Sequence, residues 1–110
     1  MNHTINLSRE LNKHIRESDI YKDYLRCKRK LQERPDLLKS LQDFKCKSLS
    51  LQNNEGLDNP YNEVNNLFME YDGLLHDTIV NDFLKAEQKL CRMMRGVYEG
   101  IAEDLEIDMI

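Results

Sequence analysis

A chain of 110 residues suits one domain with a modest core, and 40% apolar residues, two Pro, four Gly and no Trp favour long uninterrupted helices over a turn-rich sheet fold. The net charge of −4 conceals a split: residues 1–50 hold twelve Lys and Arg against seven Asp and Glu, +5, while residues 51–110 hold four against thirteen, −9. No stretch approaches the roughly 18 apolar residues of a membrane span, the opening residues do not resemble a signal peptide, and three widely spaced cysteines exclude a disulfide framework, so a single cytoplasmic domain over residues 1–110 is expected.

The first predicted helix runs from about residue 4 to residue 17, with Leu7, Leu11 and Ile15 in one apolar stripe. Ser18 is placed to cap the next helix through its hydroxyl, and Asp19 favours that helix's positive end. From Asp19 to about Glu33, Ile20, Tyr21, Tyr24, Cys27 and Leu31 repeat at three and four. Pro35 then opens a third helix, because an early helical position needs no amide donor, and Leu37, Leu38, Leu41, Phe44 and Leu49 carry its inward face to about Leu51.

The segment Gln52-Asn53-Asn54-Glu55-Gly56-Leu57-Asp58-Asn59-Pro60 is the clearest punctuation, a connector between two helical halves. After it Tyr61, Val64, Leu67, Phe68, Tyr71 and Leu74 keep a helical period to about Leu75, and His76-Asp77-Thr78 turns the chain. The last helix starts near Thr78 and carries Ile79, Phe83, Leu90, Met94, Val97, Ile101 and Leu105 on one side. At ~1.5 Å per residue its 25 or so residues span close to 40 Å. Gly96 and Gly100 inside it cost helix propensity and suit either a close helix approach or a bend. The expected fold is all-α, a five-helix bundle of antiparallel helices with a long C-terminal helix, its core built on Tyr24, Leu31, Leu41, Phe44, Phe68, Phe83 and Leu90.

A helix that outreaches its neighbours leaves apolar surface uncovered. Met94, Val97, Ile101 and Leu105 are accordingly the candidate interface of a homo-oligomer, a two-fold dimer being the simplest. The opposite charges of the two halves fit complementarity within the fold, antiparallel self-association, or a partner with a basic groove.

Catalytic patterns are missing. HExxH, an EF-hand loop, GxxxxGK[ST], GxGxxG and Glu-x-x-His do not occur, and His3, His14 and His76 lie far apart. Glu63, Glu70, Glu87, Glu99 and Glu103 read as solvated face residues, with Arg95 and Glu99 spaced to pair on the surface. Cys27 falls on an apolar stripe and Cys91 beside one; with Cys46 they offer no close metal-ligand spacing. No enzyme activity, metal or cofactor is expected. The run Arg26-Cys27-Lys28-Arg29-Lys30, continued by Arg34, puts Lys22, Arg26, Arg29 and Lys30 on roughly one helix face. A nucleic-acid binder using residues 22–34 is the alternative reading. The acidic whole, and Tyr21 and Tyr24 at core-like spacing, favour a solvated face that meets acidic protein surface.

The segments Glu17-Ser18-Asp19-Ile20-Tyr21-Lys22-Asp23-Tyr24, Arg34-Pro35-Asp36-Leu37-Leu38-Lys39-Ser40-Leu41-Gln42-Asp43-Phe44 and Asn81-Asp82-Phe83-Leu84-Lys85-Ala86-Glu87-Gln88-Lys89-Leu90, in that order, resemble the YlbF/YmcA family of small bacterial helical proteins, which includes YheA relatives. The resemblance implies five helices, frequent oligomers and no enzymatic activity. It also implies a regulatory role in competence, sporulation or biofilm formation, with related family members and a membrane-anchored endoribonuclease of mRNA decay as partners. One branch carries iron-sulfur clusters. This chain lacks that branch's cysteine-rich C-terminal pattern, ending Asp104-Leu105-Glu106-Ile107-Asp108-Met109-Ile110 with only Cys91 nearby.

Overall fold

The computed structural model describes residues 2–53 and 60–106, with the side chains of Pro60 and Tyr61 outside the description. Most of the predicted connector, residues 54–59, and the end of the chain, residues 107–110, lie outside the described residues. Among the described residues six helices follow one another: α1 His3–Glu17, α2 Asp19–Gln32, α3 Pro35–Asn53, α4 Pro60–Glu70, α5 Asp72–Leu75 and α6 Thr78–Ala102. The fold is all-α, and the longest helix is the last.

Side chains cap three of these starts. Asn2 Oδ1 accepts the Thr4 amide at 2.9 Å and opens α1. Ser18 closes α1 and opens α2: its hydroxyl donates to the Ile15 carbonyl at 2.6 Å and accepts the Tyr21 amide at 3.2 Å. Asp77 Oδ1 accepts the Ile79 and Val80 amides at 2.9 and 3.3 Å, leaving Thr78 as the first residue of α6. Pro35 is the first residue of α3, where its missing amide costs nothing. That helix continues two residues beyond Leu51, so Gln52 and Asn53 are helical and not connector.

The five predicted helices become six because the fourth does not reach Leu75. It stops at Glu70, and after Tyr71 (φ −103°, ψ 18°) a single further turn, α5, ends at His76. Asp72 and Gly73 are poor helix formers, and Asp72 suits the start of a new turn. The Tyr71 ring meets Phe44 of α3 edge-on at 5.4 Å between centroids. α3 packs against both α4 and α5.

The chain divides into two units. One comprises Cys27–Phe83; the other joins the described residues before Cys27 to those from Leu84 onward. In the Cys27–Phe83 unit Cys27, Leu31, Leu41, Leu67, Val80 and Phe83 are buried, with Leu31 only 1% exposed. The other unit, made of α1, the start of α2 and most of α6, buries just Ala86 among its described residues. Its remaining inward positions, Leu11, Ile15, Tyr24, Leu90, Met93 and Val97, stay half-buried.

Of the predicted core residues, Leu31, Leu41 and Phe83 are buried, while Tyr24, Phe44 and Leu90 are half-buried. Phe68 is a correction: it is 49% exposed. Its neighbour Leu67 takes the buried position, and the Phe68 ring tilts across Phe44 at 5.6 Å, covered on one side only.

Candidate functional site

On α2, Lys22, Arg26, Arg29 and Lys30 are all exposed. Arg26 is ion-paired with Asp23, one turn earlier on the same helix. Lys22 and Arg26 line an open groove of about 500 Å³ with Asp19, Asp23, Ile20 and Lys89, so acids interrupt the cations there. Arg29 and Lys30 stand in the last turn of α2, where positive charge complements the unsatisfied carbonyls of a helix end. Tyr21 and Tyr24 stack on each other at 6.5 Å and are half-buried. Past the end of the helix Arg34 turns to Asp36, 3.3 Å away, and its guanidinium holds that carboxyl below the usual aspartate value.

The α3–α4 pair frames a groove of about 400 Å³ lined by Cys46, Lys47, Leu51, Glu63, Leu67 and Glu70 among others. Lys47 Nζ lies 3.4 Å from Glu70 Oε1 and 5.1 Å above the Tyr71 ring. Hydrogen bonding to Tyr71, and then the charge of Glu70, raise the lysine's pKa. A protonated lysine so held braces α3 against α4 and is the opposite of what a general base requires. Among the described residues no group of three or more His, Cys, Asp and Glu could hold a metal ion. Cys27 is buried, and Cys46 and Cys91 are exposed free thiols.

The predicted interface residues lie at the end of α6. Met94 is 42% exposed and Ile101 59%, but Val97 is half-buried. Leu105, 55% exposed, is not on the helix: α6 ends at Ala102, Asp104 takes a positive φ of 62°, and the Leu105 amide returns to the Ala102 carbonyl at 3.0 Å. Tyr98, 45% exposed, completes the patch instead. Sequence reasoning missed it, although its place four after Met94 and three before Ile101 is the signal that reveals it. A methyl group built on Gly96 or Gly100 meets nothing within 4 Å among the described residues, so neither glycine serves a close approach to them. The expected Arg95–Glu99 pair is absent, and neither side chain has an ion-pair partner among the described residues. The order Arg before Glu at this spacing is the weaker of the two on a helix.

No helix among the described residues is long and apolar enough to cross a membrane. Residues 4–106 match the family model described as control of competence regulator ComK, YlbF/YmcA. The chain is also similar to a UPF0342 protein of Symbiobacterium thermophilum, 27% identical over 97 residues that cover 86% of this chain and 87% of the relative. No solved structure matches it.

Proposed function

Since the chain belongs to the YlbF/YmcA family, a family of non-enzymatic regulatory proteins, we propose that it is a cytoplasmic adaptor that works by binding other proteins, itself included. The observation that carries this reading is the row Met94, Tyr98 and Ile101 on α6, exposed in a unit whose described residues bury only Ala86. Apolar side chains left open in a unit with so little core call for a partner. In this reading residues 1–110 act as one antiparallel helical domain and a homodimer forms through α6, with Val97 at the margin of the contact. Related family members or an endoribonuclease of mRNA decay are the further partners, and the pathway is developmental regulation.

Light scattering with mass determination across micromolar concentrations tests the reading. A dimer that reverts to monomer when Met94 and Ile101 are changed to Glu supports it; a monomer throughout removes self-association.

Binding of RNA or DNA by residues 22–34 is the competing reading. It draws on Lys22, Lys28, Arg29 and Lys30, which have no ion-pair partner among the described residues. Its mark is retention of nucleic acid at 50 mM salt that falls by orders of magnitude at about 200 mM and disappears when Arg29 and Lys30 are reversed to Glu.

A further inference from the structure

We infer that the groove between α3 and α4 is a docking site for a basic amphipathic helix of a partner protein, whose apolar side chains cover Leu51 and Leu67 and whose Lys or Arg pairs with Glu63. The groove lies wholly within the Cys27–Phe83 unit and does not depend on self-association through α6.

Two packed helices leave a crevice along their seam, and the side-chain ridge of a third helix fits that shape. Here the crevice measures about 400 Å³. Leu67, buried, and Leu51, half-buried, line it with apolar surface. Cys46 and Ser50 stand one turn apart on the α3 wall, both exposed and both small, so they leave room for a helix to approach. The Lys47–Glu70 pair, 3.4 Å apart, joins the two walls. Glu63 stands two turns from Glu70 along α4, about 10 Å by helix rise and within about 20° of it around the axis. A docked helix presents two apolar side chains, four residues apart, over such a span, with a basic residue one turn further on.

Charge decides what kind of helix fits. From residue 48 to Phe83 the sequence holds seven Asp and Glu and no Lys or Arg, so α4, α5 and the start of α6 offer acid alone. Three of the five acids among the described residues are already engaged: Glu70 by Lys47, Asp72 beside His76, and Asp77 by the first amides of α6. Glu63 and Asp82 have no ion-pair partner among the described residues, and of these two Glu63 lines the groove. An open carboxylate beside apolar surface complements a partner that carries apolar and cationic side chains together. The surrounding acids disfavour an acidic helix or a nucleic acid.

Two short Ala-based helical peptides test the assignment on the full chain. Each carries Leu at two positions four apart; the residues flanking that pair are Lys in one peptide and Glu in its twin. Fluorescence anisotropy at about 150 mM salt reads the binding. The Lys peptide is expected to bind at least about tenfold more tightly than its twin, and to lose at least about tenfold when its Leu pair is changed to Ser. Glu63→Lys is expected to reverse the order of the two peptides. A bulky maleimide on the exposed Cys46 thiol of a Cys91→Ser chain, where Cys27 is buried, is expected to block the Lys peptide. Equal binding of the twins, binding that survives the Cys46 adduct, or no binding of the Lys peptide overturns the inference. Loss of binding in a chain carrying Met94→Glu and Ile101→Glu would put the peptide on α6 and overturn it too. A wild-type dimer that the Cys46 adduct dissociates would show a second copy in the groove, with the same consequence. A monomeric wild-type chain that binds the Lys peptide supports the docking site while removing the α6 dimer.

Discussion

The Ser18 hydroxyl oxygen accepts the Tyr21 amide at 3.2 Å while donating to the Ile15 carbonyl at 2.6 Å, so one side chain satisfies an orphan amide of α2 and adds a second bond to a carbonyl of α1 that already accepts the Ser18 backbone amide at 3.1 Å. Ser18→Ala removes both bonds. The expected loss is about 1 kcal/mol, within the usual range for an N-cap, and Ser18→Asn, which keeps an acceptor, should cost less. Urea denaturation followed by circular dichroism checks this; equal midpoints for wild type and Ser18→Ala would show that the helix junction does not depend on the cap.

Burial separates two aromatic positions that look alike in sequence. Phe83 is buried and also lies under Lys45 Nζ, whereas Phe68 keeps half its surface exposed. Phe83→Ala should cost about 3–5 kcal/mol and Phe68→Ala markedly less, mostly the loss of its contact with Phe44. Denaturant midpoints in the reverse order would mean that α4 and α6 turn different faces inward.

Gly96 and Gly100 offer a test in the opposite direction. With open space where each Cβ would stand, Gly96→Ala and Gly100→Ala should each stabilise α6, by up to about 1 kcal/mol. Both glycines lie on the far side of the helix from the Met94–Tyr98–Ile101 row, so the oligomer mass should not change. Destabilisation by either alanine would reveal a close neighbour at that face.

Asp36 and Lys47 supply opposite pH dependences. The Asp36 carboxyl, held below its ordinary value of 3.8 by Arg34, contributes stability at neutral pH that is lost as pH falls through its lowered pKa. Lys47, raised above 10.5 by Tyr71 and Glu70, contributes stability below that value that disappears as pH rises through the raised pKa. NMR titration should show the Asp36 midpoint return toward 3.8 in Arg34→Ala and the Lys47 midpoint fall in Tyr71→Phe. Both groups are exposed, so changes in midpoint, and not in melting temperature, are the informative readout.

That the chain is helical, where most of its helices begin and that the known catalytic motifs do not occur in it were all legible in the amino-acid sequence. These properties are local: a three-to-four repeat of apolar residues, a Ser or Pro at a helix start and the spacing of His, Cys and Glu can all be read along one strand of text. Which member of an apolar stripe is covered depends on how the helices pack. Leu67 and Phe68 are adjacent and both apolar, yet one is buried and the other open. The periodicity places both near an inward face, and only the position of α3 separates them. The break at Tyr71 was illegible for a related reason: it accompanies a ring contact with Phe44, 27 residues earlier, as well as the weak helix preference of Asp72 and Gly73. At the end of α6 the apolar repeat runs on to Leu105, while the backbone leaves the helix at Ala102. A hydrophobic period records which side chains avoid water; burial and helix length depend on what lies opposite, and that is set by contacts between residues far apart in the chain.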